Sequence, residues 1–95
     1  MIDFYTWPTP NGRKVSIALE EMGLAYRCHA VNLQEQEQFH PNFLAISPNN
    51  KIPAIVDQDT GQSLMESGAI LMYLADKCGQ FWGDDRYTTL QWVMW

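Results

Sequence analysis

Thr9-Pro10-Asn11-Gly12 places a hydroxyl, an amide and a glycine where a short β-rich run gives way to helical periodicity. A helix that starts there points free backbone N–H groups and the positive end of its dipole at the loop, an environment that favours an anion such as a thiolate. Thr9 and Asn11 could then donate to sulfur, which makes them the candidate catalytic pair; the same residues also serve as an ordinary N-cap and turn. Ile52-Pro53 stands between a polar loop and an apolar run. A cis bond there exposes the N–H and C=O of Ile52 for strand-like pairing with an extended peptide, whereas a trans proline simply opens an edge strand. Glu66-Ser67 begins the last full helical pattern. Ser67 suits a ligand carboxylate and Glu66 a ligand ammonium, together an amino-acid head group; Ser63-x-x-Glu66 equally has capping-box spacing. Lys51 and Gln38 offer a charge and a hydrogen bond from the polar loop, or are solvated surface residues.

The elements that must position these residues follow from periodicity. Ile2 to Thr6 reads as a strand closed by Trp7-Pro8-Thr9-Pro10-Asn11-Gly12. Thr9 as N-cap, Pro10 at the first helical position, and Val15, Ala18, Leu19 and Met22 at i, i+3, i+4, i+7 predict an amphipathic helix up to Gly23. Tyr26 to Leu33 is a second strand, and strand, helix, strand implies a parallel unit with a right-handed crossover. A loop-rich stretch over 34–50 holds a short helix at Pro41 to Ala45. Ile52 to Asp57 and Ser63 to Met65 pair antiparallel across Gln58-Asp-Thr-Gly61. Glu66 to Lys77 is a helix stopped by Gly79. After Gln80-Phe-Trp-Gly83, Asp84 and Asp85 open a further helix in which Leu90, Trp92, Val93, Met94 and Trp95 leave almost no polar face.

Composition narrows the function classes. The 95 residues are 46% hydrophobic and only 18% charged, which predicts a folded domain. Eleven acidic residues against six basic ones give a net charge of −5, with no basic run to neutralise phosphates, so nucleic acid is not an expected partner. The longest apolar stretch, Ala69 to Ala75, is far too short for a membrane span, and no basic segment followed by an apolar block opens the chain. The expectation is a protein of the reducing cytoplasm. Cys28 and Cys78, fifty positions apart, form neither a CxxC pair nor a zinc site. His29 and His40 lack partners at ligand spacing, Asp57-Gln-Asp59 lacks the later residues of a calcium loop, and no metal is expected.

Phe4-Tyr-Thr-Trp-Pro-Thr-Pro-Asn-Gly-Arg-Lys14, Ser47-Pro-Asn-Asn-Lys-Ile-Pro-Ala-Ile-Val56 and Leu64-Met-Glu-Ser-Gly-Ala-Ile-Leu-Met-Tyr-Leu74 resemble the N-terminal, thioredoxin-like domain of glutathione transferases. The first two loops look most like the nu class, the bacterial glutathione-dependent disulfide-bond reductases. The resemblance implies an α/β fold, β-α-β-(loop/α)-β-β-α with a mixed four-stranded sheet, over residues 1–79. A linker at 80–83 and the beginning of the first helix of an all-helical second domain at 84–95 follow. It implies glutathione as bound co-substrate along the Ile52 backbone with Pro53 cis, the γ-glutamyl group at Glu66 and Ser67, the glycine end at Gln38 and Lys51, and the sulfur at Thr9 and Asn11. Because the loop holds no cysteine, redox chemistry would use two glutathione sulfurs and a small disulfide. Conjugation of glutathione to an electrophile and a non-catalytic interaction or regulatory module remain alternatives. A homodimer is expected, and Trp82, Trp92 and Trp95 are expected to be surface for the second domain.

Overall fold

The computed structural model describes residues 1–95. The first strand, β1 (Ile2–Thr6), alternates as a strand between two covered faces must: Ile2 and Phe4 point to one side, Asp3 and Tyr5 to the other. Thr9 then caps α1 (Pro10–Glu21), its hydroxyl oxygen accepting the Gly12 N–H at 3.1 Å. The helix buries Val15 and Leu19. β2 (Tyr26–Ala30) returns parallel to β1, with Ile2 opposite Tyr26 and Thr6 opposite Ala30.

β2 ends three residues before the expected Leu33 because its partner ends at Thr6. Val31 gives its N–H to Thr6 O at 2.9 Å. Beyond it, the Asn32 side chain accepts the N–H groups of Gln34 and Glu35 and turns the chain. A 3-10 turn at Glu37–Phe39, absent from the expectation, leads to α2 (Pro41–Leu44), one residue shorter than predicted and capped by His40 Nδ1 accepting the Asn42 N–H at 3.2 Å.

β3 (Ala54–Asp57) and β4 (Gln62–Met65) form the antiparallel hairpin, with Ala54 opposite Met65. β3 starts two residues later than predicted, as Pro53 has no N–H to give a ladder. The sheet order is β2-β1-β3-β4, with β1 and β3 antiparallel, so the mixed four-stranded sheet is present. α3 (Ser67–Cys78) ends at Gly79, whose φ of 71° provides the left-handed cap. The Ser63–Glu66 capping box does not form: Ser63 belongs to β4, and Glu66 is itself the N-cap residue, at φ 72° and without a side-chain cap bond.

Ile2, Phe4, Val15, Leu19, Ile55, Ile70 and Leu74 fill the layer between the sheet and α1 with α3. On the opposite face Val31, Phe43 and Ala54 form a smaller cluster under α2, with Tyr5, Ile46 and Ile52 against it. α4 (Arg86–Met94) follows, with Asp85 Oδ1 accepting from the N–H groups of Tyr87 and Thr88. No helix is long and apolar enough to cross a membrane. Among the tryptophans expected to be surface for a second domain, Trp82 has partners within residues 1–95. It is half-buried, donates from Nε1 to Asp76 at 2.7 Å and carries the Arg86 guanidinium 3.9 Å over its ring. Trp92 and Trp95 are exposed, at 65% and 94%.

Candidate functional site

The register brings two helix N-termini to one end of the sheet. Tyr5 faces Ala54 and Ala54 faces Met65, so the C-terminal ends of β1 and β4 flank the start of β3. α1 starts after β1 and α3 after β4. The free N–H groups and positive dipole ends of both therefore point to the same rim.

A cavity of about 330 Å3 opens there, lined by Thr9, Asn11, Gln38, Asn50, Lys51 and Ile52 among others. Five of the eight sequence-selected residues thus come together although they derive from three segments. Pro53 is buried directly behind Ile52, and the Ile52–Pro53 bond is cis. Glu66 and Ser67 do not line this cavity. Continuing the hairpin register by one residue sets Glu66 across from Pro53, beside the Ile52 end of the cavity.

Several polar groups at this rim have no partner in the chain. Neither the N–H nor the C=O of Ile52 takes part in a hydrogen bond, and Gln38 Oε1 is buried and unpaired. Exposed Lys51 forms no ion pair, and exposed Glu66 no side-chain bond. The free Ile52 groups can pair with an extended backbone, Lys51 with a carboxylate and Glu66 with an ammonium. At the α1 end, Thr9 is both cap and candidate donor: its oxygen accepts from Gly12, which leaves the hydroxyl proton for a ligand anion. Gly12 permits the close fit of helix to strand, since a Cβ there would overlap Thr6 Oγ1 and lie 2.7 Å from Trp7 O.

The remaining titratable groups are arranged otherwise. Asp3, 4% exposed, accepts from His29 Nε2 at 2.9 Å, Arg27 Nε at 2.9 Å and Gln58 Nε2 at 2.6 Å. The His29 bond, followed by that of Arg27, holds its carboxyl far below the usual range despite burial. His29 also stacks on Tyr5 at 4.7 Å; the sequence reading missed its acidic partner because Asp3 lies 26 positions away, across a strand pair. Burial would raise the Asp57 pKa, but donors from Lys77, Tyr73 and the Asp59 N–H outweigh it and bring it to about 2. No three His, Cys, Asp or Glu side chains converge as a metal site. Neither cysteine lines the cavity.

A parallel β-α-β unit joined to a β-β-α hairpin unit, with a cis-proline at the rim, is a thioredoxin-like fold. The family model for the glutathione S-transferase N-terminal domain matches residues 4–81, and the chain belongs to that family. It is 55% identical to the disulfide-bond oxidoreductase YfcG of Escherichia coli K12, over 100% of this chain and 48% of that protein. A glutathione transferase from Pseudomonas putida, solved with one glutathione disulfide bound per subunit, superposes with a TM-score of 0.91 at 54% identity, over 98% of this chain and 44% of that one. A glutathione transferase from Burkholderia graminis with two glutathione molecules per subunit does so with a TM-score of 0.91 at 52% identity, over 98% and 42%. The chain spans about half the length of the curated relative YfcG.

Proposed function

We propose that this chain is the glutathione-binding part of a glutathione-dependent disulfide-bond oxidoreductase. The observation that carries the reading is the unpaired Ile52 peptide group in a cavity that also holds Thr9, Asn11, Gln38 and Lys51. The names of YfcG and of the structures with bound glutathione support the choice of ligand. In this reading the cysteinyl backbone of glutathione pairs with Ile52 beside Pro53. Its γ-glutamyl ammonium meets Glu66, its α-carboxylate meets Ser67 at the α3 N-terminus, and its glycine end meets Lys51 and Gln38.

The sulfur then lies at the α1 N-terminus, where the dipole and donors from Thr9 and Asn11 favour thiolate. The thiolate attacks one sulfur of a small disulfide, forms a mixed disulfide and expels the other sulfur as thiolate, which takes up a proton. A second glutathione thiolate attacks the glutathione sulfur of that mixed disulfide. Glutathione disulfide leaves, both substrate sulfurs end as thiols, and two electrons have passed from two glutathiones to one disulfide. No protein cysteine is needed, in keeping with the absence of Cys28 and Cys78 from the cavity.

The reading extends to residues 84–95 as the beginning of an all-helical second domain after a linker at 80–83. The end of the family match at 81 and the half-length coverage of YfcG support it. A homodimer in the cytoplasm, where glutathione is kept reduced, completes it. The test is glutathione-dependent reduction of a small disulfide, followed by glutathione disulfide release. Asn11→Ala should lower the rate at least tenfold while glutathione binding persists. Turnover of an electrophile such as a halogenated nitrobenzene with no disulfide reduction would replace this reading by conjugation. Absence of glutathione binding would leave the interaction module.

A further inference from the structure

Ser47 is fully buried between the end of α2 and the cavity loop, and every polar atom it has is engaged. Its N–H donates to Phe43 O at 2.8 Å and its C=O accepts from Asn50 N at 2.9 Å. Its hydroxyl donates to Lys51 O at 2.8 Å and accepts from Lys51 N at 3.4 Å. A one-proton hydroxyl gives that proton to the nearer acceptor, so Met65 Sδ, 3.8 Å from Oγ, is a packing neighbour. Ser47 therefore closes a ring over 47–51, with Asn50 at φ 51° making the reversal.

The consequence lies one peptide further on. The Lys51–Ile52 peptide is trans, so its C=O and N–H point in opposite directions. Drawing Lys51 O inward to Ser47 turns the Ile52 N–H away from Ser47, and that N–H is the donor with no partner in the chain. Met65, against the same hydroxyl, directly precedes Glu66. Ser47 thus bonds the backbone just before Ile52 and packs on the side chain just before Glu66.

We infer that the Ser47 hydroxyl is a positioning group for glutathione, aiming the Ile52 N–H through its bond to Lys51 O. This rests on the glutathione-binding reading above. The experiment compares Ser47→Ala, Ser47→Thr and the core control Ile70→Val in the full chain, each measured for glutathione dissociation constant, urea midpoint and 15N backbone order at Lys51 and Ile52. Ser47→Ala should raise the dissociation constant about tenfold and loosen Ile52 in the ligand-free protein. Ile70→Val should lower the urea midpoint with neither effect. Ser47→Thr, which restores the hydroxyl, should recover the order at Ile52. Wild-type affinity in folded Ser47→Ala, or an equal affinity loss in Ile70→Val, overturns the positioning role and leaves the glutathione reading intact. A wild-type chain that does not bind glutathione overturns that reading, and the inference with it.

Discussion

The two ends of the sheet use polar groups in opposite ways. At the end where β1 finishes and β3 begins, the Ile52 peptide group and Gln38 Oε1 have no partner, and Lys51 and Glu66 stand free at the surface. At the other end the carboxylates are engaged. Asp57 accepts from Tyr73 at 2.6 Å, Lys77 at 2.9 Å and Asp59 N at 3.0 Å, while Asp59 holds Lys77 at 3.1 Å and the N-terminal ammonium at 3.0 Å. A buried polar group is tolerable when partnered and costly when not. The saturated end therefore fastens the hairpin to α3, and the unsaturated end retains hydrogen-bonding capacity for a ligand. Stability and affinity should accordingly separate by position.

The largest test of that separation is Asp57→Ala. Breaking a buried ion pair costs roughly 3–5 kcal/mol; here Lys77 keeps Asp59 and Tyr73 keeps Thr60, so the expected loss is the lower value, about 3 kcal/mol, by urea unfolding. Glutathione affinity of the folded fraction should not change. A large affinity loss at unchanged stability would invert the comparison.

Acid titration approaches the same end without mutation. The folded-state pKa of Asp57 is about 2 against an ordinary 3.8, so the folded state binds the proton less readily than the unfolded chain. The stabilisation is fully present above about pH 4 and is lost as the pH falls towards 2. Asp3 shifts in the same direction. At one pKa unit per 1.36 kcal/mol, Asp57 alone contributes about 2 kcal/mol. Urea midpoints should be flat from pH 7 to 5 and fall steeply below 4, and the acid slope should flatten in Asp57→Ala.

Glu66→Gln tests the opposite end. The side chain is exposed and bonded to nothing, so stability should stay within about 0.5 kcal/mol. Losing a charge-assisted bond to the ligand ammonium should weaken glutathione binding about tenfold, or about 1.4 kcal/mol, by calorimetry. A stability loss comparable to that of Asp57→Ala would show that Glu66 belongs to the fastening and not to the site.

These two ends were unequally legible in the sequence. Thr9, Asn11, Lys51 and Ile52 announce themselves because turn chemistry and X-Pro bonds are local signals, and each lies within a few residues of the element boundary it marks. Gln38 and Glu66 could be singled out, but only the fold decided which neighbours they meet. The Ser63–Glu66 spacing imitated a cap, and strand pairing claimed Ser63 first. The fastening end was opaque for a physical reason. Asp3 meets His29 and Gln58 across 26 and 55 positions, and Asp57 meets Lys77 across 20. Strand register creates those contacts, and no periodicity within one segment reports them. Trp82 likewise read as surface for a second domain, and no pattern in the sequence reports its contacts with Asp76 and Arg86.

The smallest expected effect asks how far the unsaturated end extends. Gly68 is the second residue of α3, next to Ser67, and has ordinary helical geometry. A Cβ there would sit 3.7 Å from Met94 Cε and 3.9 Å from Val93 Cγ1, ordinary contact distances on the side facing α4. Glycine inside a helix costs roughly 0.5–1 kcal/mol relative to alanine because the unfolded chain loses more freedom on folding. Gly68→Ala should therefore stabilise by about 0.5 kcal/mol in urea, with glutathione affinity unchanged, because the new methyl meets α4. If stability rises and affinity falls, the backbone at Gly68 must move when Ser67 takes the ligand carboxylate. The ligand end then depends on a freedom that the packed helices were taken to lack, and its boundary lies between Gly68 and Ile70, the first fully buried residue of α3.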